Sequence, residues 1–237
     1  MTNALVLHRT FYSMALGRSK NYCIYLPGSY PHAEERHYST LYLLPGLMDY
    51  ERTWIDKGRV HEHMDSLVAE GRIGEMIVVM PDKDDTALDP ARHAAFASYL
   101  GEDLLQHIDA EFRTIPVRGH RGIEGLSLGA GWAVRMGLNF PELYCSIGSL
   151  SGGFGDEVYR LVLEREATLR ELGMRFRVGV GLGEPEYVPN NLRFVAFLQE
   201  RGFYCEFDPV DGPHDWPLWV KQIRNSLQFH YYSFNPP

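Results

Sequence analysis

The sequence predicts an α/β fold in which helices cover both faces of an open, mostly parallel sheet. Continuous apolar runs, such as those at 40–44 and 75–80, are typical of strands buried on both faces. Stretches with apolar residues at helical spacing alternate with these runs along the whole chain. Breakers such as Pro27-Gly28 and Pro81-Asp82 close the runs, so the pattern indicates separate elements of alternating type.

The elements follow in order from these signals. A turn near Gly17 separates the first two strands, and Pro45-Gly46 ends the third. Val60, Met64 and Leu67 fall on one side of the first helix. The predicted strands cover residues 5–15, 20–26, 40–44, 75–80, the segment leading into Ser127, 144–150, 175–180 and 204–208. The predicted helices cover residues 60–70, 94–111, 132–138, 155–172, 191–201 and 217–231.

Length and composition set the frame for function. The chain has 237 residues, of which 45% are hydrophobic, and it contains no repeat or linker, so we expect one domain over residues 1–237. A net charge of −8 without a basic run argues against a nucleic-acid partner. The N-terminus lacks a signal-peptide pattern and no apolar stretch is long enough to cross a bilayer, so we expect no membrane partner and a cytoplasmic location.

No metal or other cofactor is expected. Three widely spaced cysteines without a Cys-x-x-Cys pair argue against a zinc site and against a disulfide framework. Asp82, Asp84 and Asp85 lack the glycine and the distal glutamate of a cation-binding loop, so they are read as a solvated loop.

One short motif carries the chemistry. Gly125, Ser127 and Gly129 form Gly-x-Ser-x-Gly at the end of a predicted strand and just before a helix. A serine there can sit on a strained turn that exposes its hydroxyl, and the flanking glycines leave room for the tight backbone. The N–H of Leu128 would then face a developing oxyanion. The alternative is a tight loop with a helix-capping serine.

An acid and a histidine follow this serine in later loops. Because chemistry gathers at the carboxyl ends of parallel strands, Glu184 or Glu186 after the strand at 175–180 and His214 after the last strand can meet Ser127. The order serine, acid, histidine is that of α/β-hydrolases. We favour Glu184 over Glu186, because Glu184 lies nearer the strand end and Pro185 restricts its backbone. The other helical and loop histidines are expected at the surface: His61, His63, His93, His107, His120 and His230.

Six sequence blocks extend this pattern from about residue 20 to the C-terminus. They are Tyr42-Leu43-Leu44-Pro45-Gly46-Leu47, Ile77-Val78-Val79-Met80-Pro81-Asp82, Gly125-Leu126-Ser127-Leu128-Gly129-Ala130-Gly131, Phe140-Pro141-Glu142-Leu143-Tyr144, Ser149-Leu150-Ser151-Gly152-Gly153 and Gly212-Pro213-His214-Asp215-Trp216-Pro217-Leu218-Trp219. The chain resembles the esterase D-like group of α/β-hydrolases, with S-formylglutathione hydrolases, feruloyl esterases, enterochelin esterases and mycolyltransferases. The resemblance implies Ser127 as nucleophile, His214 as base, and the N–H groups of Leu47 and Leu128 as oxyanion hole.

Two positions depart from that resemblance. Many relatives have His-Gly where this chain has Pro45-Gly46, but only a backbone donor at Leu47 is required there. Glu124 stands where the family usually has a small or apolar residue. A carboxylate entering a central strand needs a partner, for which Arg121 is the nearest candidate in sequence.

The predicted function is that of a serine carboxylesterase that hydrolyses a small-molecule ester through an acyl-serine. The segment between Gly153 and Arg175 is short for a lid, which favours an open cleft and small or aryl acyl groups. Trp54, Trp216 and Trp219 are candidates for lining the acyl or aryl pocket, with packing as the alternative role of each. Two other functions stay open: acyl transfer to a sugar or alcohol acceptor, and a catalytically silent homologue used for binding.

Overall fold

A computed structural model describes residues 4–236 and contains one eight-stranded sheet with the order β1-β2-β4-β3-β5-β6-β7-β8. β1 and β2 form an antiparallel hairpin, β2 pairs antiparallel with β4, and every later pairing is parallel. The expected α/β class with a mostly parallel sheet is therefore confirmed. The strands are β1 (Leu5–Ser13), β2 (Arg18–Leu26), β3 (Thr40–Leu44), β4 (Ile77–Pro81), β5 (Arg121–Leu126), β6 (Ser146–Leu150), β7 (Arg175–Gly181) and β8 (Tyr204–Val210).

Helices cover both faces of the sheet, and side chains of one strand alternate between two cores. Tyr42 and Leu44 of β3 join one hydrophobic cluster, whereas Leu41 and Leu43 join the other. All four side chains are almost completely buried, which explains why this strand reads as a continuous apolar run. The helices are α1 (Thr53–Asp56), α2 (Val60–Ala69), α3 (His93–Ser98), α4 (Leu104–Glu111), α5 (Leu128–Asn139), α6 (Asp156–Glu171), α7 (Val188–Glu200) and α8 (Trp216–Phe234).

The helix predicted over 94–111 is not continuous. A π-helical turn at Tyr99–Asp103 separates α3 from α4. In that turn the carboxylate of Asp103 accepts hydrogen bonds from the Ser13 hydroxyl (2.5 Å) and from the Ala15 N–H (2.9 Å), so it holds the turn between β1 and β2. The spacing of apolar residues could not indicate this break, because the core-facing residues on both sides of it keep a helical periodicity.

The topology brings four strand ends together. β5 lies in the middle of the parallel part, between β3 and β6, and β7 and β8 follow on the same side. The loops after β3, β5, β7 and β8 therefore open at one edge of the sheet. Within residues 4–236, no helix has the length and apolarity needed to cross a membrane.

Candidate active site

Ser127 occupies a sharp turn between β5 and α5. Its φ of 51° and ψ of −116° are unusual for a residue with a side chain, and its N–H donates to the Leu150 carbonyl (2.8 Å). A Cβ at Gly125 would overlap the backbone of Gly129, and a Cβ at Gly129 would lie 2.5 Å from the carbonyl oxygens of Leu44 and Pro45. Both glycines are thus needed for the close approach of the backbone at this turn.

Ser127, His214 and Glu184 are joined by hydrogen bonds. Nε2 of His214 lies 2.9 Å from Oγ of Ser127, and Nδ1 of the same ring is hydrogen-bonded to Oε1 of Glu184. Tyr187 stacks on the His214 ring with centroids 4.5 Å apart. The imidazole is consequently held between a hydroxyl and a carboxylate in one orientation.

The carboxylate of Glu184 is buried and fully hydrogen-bonded. Its side chain has no exposed surface, and Oε2 accepts hydrogen bonds from the Gly181 N–H and from the Ser151 hydroxyl (2.8 Å). Ser151 also accepts a hydrogen bond from the indole N–H of Trp219 (3.0 Å). These donors hold the carboxylate in place, whereas Glu186, the alternative acid, is exposed.

Two backbone N–H groups near Ser127 are available to a ligand. Leu47 lies in the loop after β3, and Leu128 is the first residue of α5. Within residues 4–236, neither N–H has a hydrogen-bond partner. The positive end of the α5 helix dipole adds to the attraction that a negative charge at this place would feel.

A cleft of about 430 Å³ opens at these groups, a volume in the range of small-ligand sites. It is lined by Gly46, Leu47, Met48, Asp49, Lys57, Leu126, Ser127, Tyr187, His214, Asp215, Trp216 and Trp219. Two of the three tryptophans singled out from the sequence, Trp216 and Trp219, line the cleft. Trp54 is buried (1% exposed), packs edge-to-face on Trp216 and does not line the cleft, so its position supports packing, the second of the two roles considered for it.

Tyr187 and Asp49 are two of the cleft residues that sequence reasoning missed. Tyr187 was hidden because it follows Glu184 in an irregular loop and shows its stacking on His214 only in three dimensions. Asp49 follows the Leu47 turn, and its carboxylate was not distinguishable from an ordinary loop acid. Only its low exposure of 7% and its contact with Trp216 mark it as a site residue.

The suggested partner of Glu124 is wrong. Residues 121 and 124 lie three apart in one strand, so their side chains leave opposite faces of the sheet. Arg121 pairs with Asp109 (2.7 Å), while Glu124 is hydrogen-bonded to Nε2 of His230 (3.0 Å) and lies 3.9 Å from Arg177. Burial alone raises the pKa of Glu124, but the bond to His230 and the charge of Arg177 outweigh it and hold that pKa below its ordinary value.

The surface assignment of His230 is also wrong. This side chain is completely buried on α8, and its Nδ1 lies 2.8 Å from the hydroxyl of Ser146. Glu124, His230 and Ser146 therefore repeat the order acid, imidazole, hydroxyl, but all three are completely buried. The other histidines expected at the surface are half-buried, namely His61, His63, His93, His107 and His120, and the ring of His107 stacks on Phe11.

Asp84 likewise differs from the solvated loop expected for 82–85. It is 5% exposed and lies 3.0 Å from Nζ of Lys20, with Arg18 as a second partner. Although burial raises the pKa of its carboxyl, the bonds to the Thr86 backbone and to these cations bring that pKa far below the ordinary value. The acid thus fastens this loop to β2 as an ion pair.

Comparison with known proteins places these features in a family. The family model described as "Putative esterase" matches residues 13–230. An endo-1,4-beta-xylanase/feruloyl esterase of Xylanibacter ruminicola is 31% identical over 92% of this chain, and the chain spans about 30% of that protein's length.

Solved structures agree with the fold. A ferulic acid esterase has a TM-score of 0.88 at 26% identity, covering 99% of this chain and 100% of its own. An S-formylglutathione hydrolase from Staphylococcus aureus has a TM-score of 0.81 at 18% identity, with 97% of each chain covered. The resemblance drawn from the six sequence blocks is confirmed. The chain therefore belongs to the esterase family of α/β-hydrolase fold, and the expected class, an ester hydrolase, is confirmed at the level of that family.

Proposed function

We propose that this chain is a carboxylesterase in which Ser127 is the nucleophile, His214 the general base and Glu184 the acid that orients it. The observation that carries the proposal is the hydrogen-bonded series from Ser127 Oγ through the His214 ring to the buried Glu184. Serine is a weak nucleophile unless a base takes its proton, and an imidazole in reach of Oγ meets that need. The carboxylate fixes the ring tautomer and stabilises the imidazolium that forms.

The first half of the reaction acylates the enzyme. Oγ of Ser127 forms a bond to the ester carbonyl carbon while Nε2 of His214 takes the hydroxyl proton. The carbonyl oxygen becomes an oxyanion, to which the N–H groups of Leu47 and Leu128 donate hydrogen bonds. When the carbon–oxygen bond to the alcohol breaks, His214 returns its proton to the departing alkoxide, and the acyl group stays on Ser127.

The second half releases the acid. A water molecule replaces the alcohol, gives a proton to His214 and attacks the acyl carbon, so that the same two N–H groups again meet the oxyanion. Collapse breaks the bond to Ser127, which recovers its proton from His214. The carboxylic acid leaves and the free enzyme is restored.

The cleft favours small or aryl acyl groups. Its lining includes Tyr187, Trp216 and Trp219, whose rings suit contact with an aromatic acyl group, and the cleft volume of about 430 Å³ limits the size of that group. Two similar proteins are named as feruloyl or ferulic acid esterases, so hydroxycinnamoyl esters are the aryl substrates to test first.

A substrate panel on the purified protein tests the proposal. It contains p-nitrophenyl esters of increasing acyl length, methyl ferulate and S-formylglutathione, each assayed with and without an added alcohol or sugar acceptor. We expect turnover of short or aryl esters that Ser127→Ala abolishes while the circular dichroism spectrum is unchanged. Turnover that persists in Ser127→Ala rules out the nucleophile. If the acceptor is acylated in place of water, so that less free acid is formed per ester consumed, the enzyme is an acyltransferase. If a fluorophosphonate does not label the protein, the chain is a catalytically silent homologue.

A further inference from the structure

One cleft residue takes no part in the proposed chemistry and is nevertheless buried and charged. Asp49 follows Leu47 by two residues in the loop after β3, and it is 7% exposed. A buried carboxylate costs free energy unless hydrogen bonds or an opposite charge compensate it. The groups that contact the Asp49 carboxylate therefore indicate which part of the site it stabilises.

The first set of contacts shapes the loop itself. The N–H of Asp49 donates to the Gly46 carbonyl (3.2 Å), which closes a turn around Leu47 and Met48. A Cβ at Gly46 would lie 3.0 Å from Oδ2 of Asp49, so the carboxylate packs directly on the backbone that carries the Leu47 N–H.

The second set of contacts ties this loop to the element that follows His214. Oδ1 of Asp49 accepts a hydrogen bond from the indole N–H of Trp216 (3.1 Å), and Nζ of Lys57 lies 3.3 Å away. Trp216 is the first residue of α8, two positions after His214. The bond therefore links the loop that carries one proposed oxyanion donor to the loop that carries the base.

The link continues through the wall of the cleft. Trp216 meets Trp219 edge-to-face at a centroid distance of 5.5 Å, and Trp219 meets the His214 ring in the same way at 5.0 Å. The Trp219 indole also donates to Ser151, the residue that holds Glu184. A displacement of Trp216 would therefore disturb both the loop that carries the Leu47 N–H and the ring of His214.

We propose that Asp49 is a positioning residue that sets the Leu47 N–H against Ser127 by anchoring the loop on Trp216. The inference rests on the proposed function, because it assigns the Leu47 N–H to the oxyanion. A group that positions a donor used mainly in the transition state changes kcat rather than KM. The side chain at position 49 must therefore be short and must carry an oxygen that accepts the hydrogen bond from the Trp216 indole N–H. A negative charge is not required for this role.

Four variants separate this role from a general loss of packing. Asp49→Ala removes the acceptor, and Asp49→Asn keeps an oxygen at the same place. Trp216→Phe removes the donor from the other side of the bond. Trp132→Phe is its matched control, because the indole N–H of Trp132 also donates one hydrogen bond, to the Ala87 carbonyl (3.3 Å), and this buried side chain does not line the cleft.

The assay measures kcat and KM for p-nitrophenyl acetate, together with the rate of fluorophosphonate labelling of Ser127. We expect Asp49→Ala to lower kcat roughly 10- to 100-fold with KM within about threefold of wild type, because a displaced donor loses much of its effect. Asp49→Asn should stay within about threefold of wild type in kcat, and so should Trp132→Phe. Trp216→Phe should also lower kcat. In the double variant Asp49→Ala/Trp216→Phe, the increase in activation free energy should be smaller than the sum of the increases in the two single variants, because both substitutions break the same hydrogen bond.

Several results would overturn the proposal. They are an unchanged kcat in Asp49→Ala, an effect confined to KM, an Asp49→Asn variant as slow as Asp49→Ala, or equal losses in Trp216→Phe and Trp132→Phe. If Asp49→Ala does not fold, the Asn variant and the tryptophan pair decide the matter. If the wild-type protein hydrolyses no ester, the proposed function fails, and the labelling rates still rank the variants, since phosphonylation also places an oxygen at the Leu47 N–H.

Discussion

Gly148 of β6 lies directly against the carboxylate of Glu124 in the neighbouring strand β5, so that a Cβ on Gly148 would overlap Oε2 of Glu124. Gly122 plays the same part for His230, since its Cβ would lie 2.6 Å from Nδ1 of that ring. Two glycines of the central strands thus make the space that a buried polar group needs beneath α8. A side chain at either glycine would therefore lower the free energy of unfolding.

Gly148→Ala should destabilise the protein. The added methyl group must displace the Glu124 side chain from its bond to His230, and overpacking of this kind costs about 1–3 kcal/mol. The free energy of unfolding in urea checks this. The control is Gly119→Ala, because a Cβ at Gly119 would meet nothing within 4 Å, and it should change the free energy by less than about 0.5 kcal/mol. Equal stability of the two variants would contradict the expected clash.

The charge of Glu124 makes part of the stability dependent on pH. Its pKa in the folded protein lies below the ordinary value of 4.5, so the carboxylate contributes stability above that value, and the contribution is lost as the pH falls through the folded-state pKa. Glu124→Gln should lower the free energy of unfolding at pH 7 by about 1–3 kcal/mol, because it removes a charged acceptor from His230 and one of the two carboxylates near Arg177, which keeps Asp208 as a partner.

The difference between wild type and Glu124→Gln should narrow from pH 5 to pH 3, as measured by urea unfolding at each pH. Glu164→Gln, at an exposed position of α6, should follow the wild-type curve throughout. A difference that stays constant down to pH 3 would show that the negative charge of Glu124 makes no contribution to folding.

These residues mark where sequence reasoning reaches its limit. Periodicity predicted each strand and most helices, because burial on a regular element leaves a regular pattern. The roles of Gly125 and Gly129 could be predicted, because the strained turn at Ser127 admits few other residues at these positions. Glu124 and His230 were not readable as a pair, because 106 positions separate them and only the packing of α8 on β5 brings them together. The pairing of Arg121 with Glu124 failed on strand alternation, which the sequence already contained.

Ser151 should affect catalysis through Glu184. Its hydroxyl donates to Glu184 and accepts from the Trp219 indole, so Ser151→Ala removes a hydrogen bond to a buried charge, an interaction of about 1.5–3 kcal/mol. We expect kcat to fall roughly tenfold or more. Ser149→Ala is the matched control, since that serine is buried near the end of β6, two residues before Ser151, and its hydroxyl has no partner in the described part of the chain. Similar activity of the two variants would argue against support of Glu184 by Ser151.

The choice of acid gives the sharpest comparison of two neighbouring residues. Glu184 is buried against Nδ1 of His214, whereas Glu186 is exposed two positions later in the same loop. Glutamine keeps the size of either side chain and removes its charge, so the ring of His214 in Glu184→Gln would lose both its tautomer preference and the stabilisation of its charged form. By analogy with loss of the acid in other triads, kcat should fall roughly 10³- to 10⁴-fold in Glu184→Gln. Glu186→Gln should lose less than about tenfold, because solvent screens a charge at that position. Steady-state kinetics on a p-nitrophenyl ester measure both, with thermal unfolding to show that each variant is folded. If Glu186→Gln is the slower enzyme, the acid is Glu186 and the loop must rearrange during turnover to bring it to His214.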